Sequence, residues 1–159
     1  MLSQSFNIFS YVKMALADAI LYCIPTVIFI YNANFSKVWL LYLGTALFLM
    51  FIIASVMLFK KQLSGNAGFW VLLTKGLILA VVAIIIICII EFILLAIQDP
   101  AAIGFSSQGS ALRQAPVSLG GNQTHSMALL MFVNAALVNF AAGAFGAFIV
   151  AITAKRNQT

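Results

Sequence analysis

Acidic side chains are nearly missing from this chain: Asp18, Glu91 and Asp99 are the only three in 159 residues. Paired-carboxylate acid–base chemistry has almost nothing to draw on. Histidine occurs once, as His125, with no Cys or carboxylate cluster beside it in the sequence, far short of a metal site. Cysteine occurs twice, and Cys23 and Cys88 both lie inside apolar runs. Counted along helices, Cys23 is about 8 Å beyond Asp18 and Cys88 about 20 Å beyond Lys75. If those two charges share a depth, the sulfurs are too far apart for a disulfide, which needs Cα atoms within about 7 Å. No nucleophile elbow, phosphate-binding loop or HExxH motif is present. The two halves share no repeat, so the inverted repeats of larger transporters find no support. These absences argue against an enzyme and leave no motif for a cofactor or a metal.

What remains is hydrocarbon. Hydrophobic residues make up 64% of the chain and charged residues 7%, both outside the range of soluble globular domains. A bilayer core of about 30 Å needs about 20 helical residues, and four runs meet that length: 14–34, 38–59, 69–97 and 127–153. They are apolar on all sides, which argues against the alternating short strands of a membrane barrel. The first run is full length and ends in YNANFSK, so it reads as a retained helix and not a cleaved signal. The fold class is all-α: an integral-membrane, four-helix, up-down bundle forming a single membrane domain over residues 1–159.

The eight basic residues report orientation. With the N-terminus inside, Lys13, Lys60, Lys61, Lys75, Lys155 and Arg156 fall on the cytoplasmic side, and Lys37 and Arg113 outside. That excess predicts both termini in the cytoplasm. Charge placed at helix ends in this way gives no reason to expect a nucleic-acid partner. The expected partners are the lipid bilayer itself and, through helix contacts, a homo-oligomer or a larger membrane complex. The expected location is the bacterial inner membrane, crossed several times.

Residues 1–13 place Leu2, Phe6, Phe9 and Val12 near one helical face. That suits either a short interfacial helix or extra turns of the first span, or a disordered start. The turns around 32–37 and 60–68 are short, so the first three helices are expected to be sequential antiparallel neighbours. The one long connection, 98–126, is rich in Gly, Ser, Gln, Ala and Pro and reads as an irregular outer loop. It contains Asn122-Gln123-Thr124, a glycosylation tripeptide that matters only in a eukaryotic secretory pathway; a second, at Asn157, falls on the cytoplasmic end. Pro25 frees the Leu21 carbonyl and is expected to kink the first helix.

Glu91 is the most informative residue. Fifteen uncharged residues separate it from Lys75, about 22 Å of helix, which is too short to cross the core. Lysine can snorkel on its long stem, so Glu91 is the charge left within hydrocarbon. A carboxyl there either finds partners or takes up a proton. Depth counting nominates Tyr31, Tyr42 and Asn134 as companions in one outer-leaflet polar cluster. Two readings follow: a hydrogen-bonded acid that fixes helix register, or a proton- or cation-linked site. Asp18 and Lys75 fall at similar depth near the other face, where they either form an ion pair or are each solvated at the interface. The fourth run carries small residues at a spacing of four: Ala135, Asn139, Gly143, Ala147 and Ala151. Such a stripe lets helix backbones approach closely, within the bundle or against another chain.

In size, in the paired Lys60-Lys61, in Lys75-Gly76 opening the third run and in Gly143-Ala144-Phe145-Gly146 before Lys155-Arg156, the chain resembles a known family. These are small uncharacterised four-helix inner-membrane proteins of Bacteroidota-type bacteria, a domain of unknown function. The resemblance implies a fold and a location and carries no activity. The expected function is a structural or accessory membrane component working through helix–helix contacts. The alternative is a homo-oligomeric transporter or channel in which Glu91 faces a pore.

Overall fold

The structure is a computed structural model, and it describes residues 8–32, 35–63, 68–98 and 126–156. All regular structure among them is helical: α1 (Ile8–Asn32), a 3-10 turn (Phe35–Lys37), α2 (Trp39–Gln62), α3 (Phe69–Gln98), α4 (Ser126–Val133), a π-helical turn (Asn134–Val138) and α5 (Asn139–Arg156). Four helices are long and apolar enough to cross a membrane: Phe9–Asn32, Trp39–Gln62, Phe69–Ile97 and Ala128–Ala154, the last running through α4, the π turn and α5. Residues 8–13 are the opening turns of α1 and continue into the first span. The remainder of the expected interfacial segment, most of the expected outer loop and both glycosylation tripeptides lie outside the described residues.

Local chemistry sets several helix ends. Asn32 closes α1: its amide donates to the Ile28 carbonyl at 2.7 Å and its side-chain oxygen accepts from Lys37, satisfying a carbonyl that a helix terminus would leave open. Gly68 opens α3, its carbonyl accepting from the amides of Val71 and Leu72. Helix α1 runs unbroken through the buried Pro25. One turn back, the Thr26 hydroxyl donates to the Tyr22 carbonyl at 3.3 Å.

Helix α1 packs along α2 and α3, and the α4–α5 span packs along the same two from the other side, while α2 and α3 touch less extensively across the middle. The first three helices are in contact in sequence order, α1 with α2 and, less extensively, α2 with α3, but α3 lies mainly against α1 and α5. Small residues decide this. A Cβ on Gly76 of α3 would lie 2.5 Å from the Ala147 Cβ, and one on Gly143 of α5 would lie 2.7 Å from the Ala80 Cβ. Both distances are shorter than real side chains tolerate, so α3 and α5 approach at a contact that only glycine permits. The same ends meet elsewhere. Tyr11 stacks on Phe59 with ring centroids 5.0 Å apart, and Phe69 meets Phe148 edge-on at 6.0 Å.

The buried apolar residues form two clusters. The larger contains Tyr22, Phe48, Ile52, Leu79, Ile87 and Ala135, and the smaller contains Phe29, Leu41, Leu95 and Met131. Between them, at one level on every helix, the interior turns polar: Thr26 follows Tyr22, Thr45 follows Leu41, Glu91 follows Ile87 and Asn134 precedes Ala135. The outward faces stay apolar, with Ile20, Ile24, Met50, Ile85, Ile89 and Phe145 among many exposed hydrophobic side chains. A helix that is hydrophobic all round belongs in a core or in lipid.

Candidate functional site: the polar layer of the bundle

Each helix turns one polar rung inward at this level. On α1 the inward face carries Asp18, Tyr22 and Thr26 at a spacing of four, all with no solvent exposure. Helix spacing of four keeps side chains on one face. On α2 the rung is Thr45, next to Gly44. A Cβ on Gly44 would stand 3.1 Å from the Tyr22 ring and 3.2 Å from its carbonyl oxygen, so this glycine lets the tyrosine lie against the α2 backbone. On α3 the rung is Glu91, fully buried. On the last span it is Asn134, the first residue of the π turn, and Asn139, the residue that follows it, both buried.

Asn134 is the hub. Its amide donates to the Tyr22 hydroxyl at 3.0 Å and to Thr45 Oγ1 at 3.2 Å, and it reaches the Leu41 carbonyl at 3.5 Å. Thr45 in turn donates to Asn139 Oδ1 at 2.8 Å, with its own Leu41 carbonyl at 3.3 Å. Two asparagines five residues apart would point about 140° apart on an α-helix. The π turn between them takes up the extra residue, so both face Thr45. Single π turns of this kind recur where a helix must aim polar groups.

Glu91 completes the layer from α3. The Tyr22 hydroxyl is the polar group beside its carboxyl, yet both carboxyl oxygens are buried without closing a hydrogen bond. Because Tyr22 accepts from Asn134, its own hydrogen is free to point at Glu91. Asn139 Nδ2 is likewise buried without a partner. Cys23 and Cys88 are both free and both come within electrostatic range of Glu91. Among the described residues no three His, Cys, Asp or Glu side chains form a group that could hold a metal ion.

Two companions expected for Glu91 are elsewhere. Tyr31 and Tyr42 are 68% and 58% exposed and take no part in the layer. Depth counting places a residue along a helix but not around it. Tyr31 follows the buried Ile30 and Tyr42 follows the buried Leu41, and one residue turns the side chain by about 100°. Tyr22 takes their place, and the i, i+4, i+8 spacing of Asp18, Tyr22 and Thr26 was the available signal. Asn134 lies on the interior face and bonds to Tyr22 and Thr45 rather than to Glu91 itself.

Asp18 and Lys75 form no ion pair. Both Asp18 oxygens are buried without a partner, while Lys75 Nζ stands 5.7 Å over the ring of Phe59, within cation–π range. Phe59 stacks on Tyr11, and Asp18 lies about two turns further along α1 than Tyr11. The lysine is therefore held nearer the end of the bundle than the aspartate, and the sequence-based assumption of equal depth fails. The small-residue stripe faces inward along its whole length: Ala135, Asn139, Gly143, Ala147 and Ala151 are all buried within this one chain. Its counterpart on α3, Gly76 with Ala80, also sits at a spacing of four.

No protein-family model matches the chain, and neither a curated protein nor a solved structure matches it.

Proposed function

We propose that this chain is a four-span, up-down integral membrane protein with both termini in the cytoplasm, acting as a structural or accessory component through helix–helix contacts. The observation that carries the structural role is the closed interior. Glu91, Asp18 and Asn139 have no solvent exposure, and the polar group beside the Glu91 carboxyl is a tyrosine hydroxyl bonded onward to Asn134. An acid that loads and releases ions needs a water path, whereas a sealed one sets helix register. The up-down arrangement is supported by contacts between opposite helix ends, Tyr11 with Phe59 and Phe69 with Phe148. Orientation rests on the six basic residues at one end against two at the other. The bacterial inner membrane as location, and kinship with small four-helix inner-membrane proteins of unknown function, stand on the sequence features given above. Catalysis is no part of this proposal.

A second reading has one specific observation in its favour: the two partnerless oxygens of Glu91. Buried acceptors without partners are rare and call for a proton, a water or an ion. In this reading the chain is a homo-oligomeric proton- or cation-linked transporter or channel. Glu91→Gln separates the two. In the structural role it keeps shape and hydrogen-bonding capacity, and stability changes by about 1 kcal/mol or less; vesicles holding either protein show no pH-driven flux. Flux in the wild type that glutamine abolishes, with the fold intact, would replace the structural reading by the transport one.

A further inference from the structure

At the end of the bundle where α2 and α5 finish, a groove of about 470 Å³ opens between them, lined by Met57, Lys60 and Lys61 of α2 and by Ile149, Val150 and Thr153 of α5. Specific small-molecule sites commonly span about 300–1,000 Å³. Its floor is apolar and one rim is cationic. Val150 is buried, Met57 is 50% exposed, and Lys61 is exposed while Lys60 is half-buried. The Thr153 hydroxyl is already committed, donating to the Ile149 carbonyl at 2.8 Å.

Among the described residues, no acid offsets the charge on this rim. Asp18 and Glu91 are shut in the interior with their oxygens unpaired, and the third acid, Asp99, follows the opposite end of α3 in the sequence. No acidic side chain among the described residues meets Lys60 or Lys61. In the sequence, Lys155 and Arg156 follow the last of the groove residues on α5.

We infer that this groove binds an anionic phospholipid, the headgroup phosphate on Lys60 and Lys61 and the upper part of an acyl chain between Met57 and Ile149. The inference rests on the membrane reading above. Basic pockets between spans at the cytoplasmic face match acidic headgroups in charge and position, and lysine is a competent point-charge partner for phosphate. The other candidate occupant, a second copy of this chain, fits less well. A two-fold contact would present the same patch from both copies, setting two lysine pairs against each other.

The test uses the full chain in two steps. Alkaline carbonate washing of cell membranes comes first: a chain that washes out overturns the membrane reading, and this site with it. The retained chain is then purified in mild detergent. Native mass spectrometry follows the binding of phosphatidylglycerol and of phosphatidylcholine with the same acyl chains. Phosphatidylglycerol is expected to bind preferentially. Lys60→Gln with Lys61→Gln should weaken that binding about 25-fold, on the basis of about fivefold per lysine. Lys37→Gln, at the other end of α2, should leave it unchanged, and unaltered helicity of the double variant shows that the loss is not unfolding. Equal binding of both lipids, or an unaffected double variant, overturns the site alone. Displacement by glycerol phosphate at equal concentration would make the occupant a soluble anion, and a dimer lost in the double variant would make it a second copy. Either result also overturns the lipid site.

Discussion

If Asn134 joins three helices through its one amide, its contacts should be energetically coupled, and a double-mutant cycle measures this. Asn134→Ala removes the donors to Tyr22 and to Thr45, at 3.0 and 3.2 Å. Hydrogen bonds between membrane helices average about 0.6 kcal/mol and reach about 1.7, so two of them predict a loss near 1.2 kcal/mol, about eightfold in the folding constant. Tyr22→Phe removes one of the same bonds, so the pair should be less damaging together than the sum of its parts, by about 0.6 kcal/mol. Thr45→Val with Asn134→Ala should show the same sign. Ser55 supplies the control. It is also buried on α2 but lies about 15 Å along the helix from Thr45, so Ser55→Ala should add independently to Asn134→Ala. The assay is unfolding by SDS titration in mixed micelles, followed by tryptophan fluorescence. Coupling of Asn134 with Tyr22 no larger than its coupling with Ser55 would refute the hub, whatever the single variants cost.

Other outcomes follow from the same geometry. Gly143→Leu should destabilise by about 1–3 kcal/mol or more, because even a Cβ there would lie 2.7 Å from Ala80; Phe145→Leu, at a side chain 58% exposed, should be tolerated, and equal effects in thermal denaturation would move the stripe off the packed face. Asp18→Leu should be neutral or stabilising, since the carboxyl makes no hydrogen bond and its burial only costs. Lys75→Gln should show no coupling to it in the same SDS titration, and a coupling above about 0.5 kcal/mol would restore the ion pair. Cysteines placed at Ser107 and Ser118 should label with a membrane-impermeant thiol reagent in intact cells, and one at Gln62 only after permeabilisation; the opposite pattern would invert the topology.

The spans were legible because hydrocarbon length is a property of the sequence alone. Runs such as 38–59 need no tertiary information to be recognised, and the structure shows a helix there at Trp39–Gln62. The same holds for Glu91: the 15 uncharged residues that part it from Lys75 span about 22 Å of helix, too short to bring both charges to opposite faces of the core. Which side chains surround it was much less legible. Tyr31 and Tyr42 had a suitable depth but the wrong azimuth, and azimuth depends on how all four spans pack. The pairing of Asn134 with Asn139 depends on a π turn, and nothing in the residues Asn134–Val138 announces one. Lys75 was misplaced because its contact with the Phe59 ring draws it toward the bundle end, a tertiary effect that counting along one helix does not capture.

The polar layer also bears on the order in which the protein can be made. A chain emerges from the ribosome N-terminal end first, so Tyr22, Thr45 and Glu91 are all synthesised before Asn134, with residues 99–125 still to come between them. Until the last span arrives, three helices hold a hydroxyl, a second hydroxyl and an acid with no amide to join them. Such an unfinished bundle carries its own mark of incompleteness, a polar notch that the final helix closes. Truncation before α4 should therefore leave a species that a quality-control protease can tell from the finished one without reading any exposed tail.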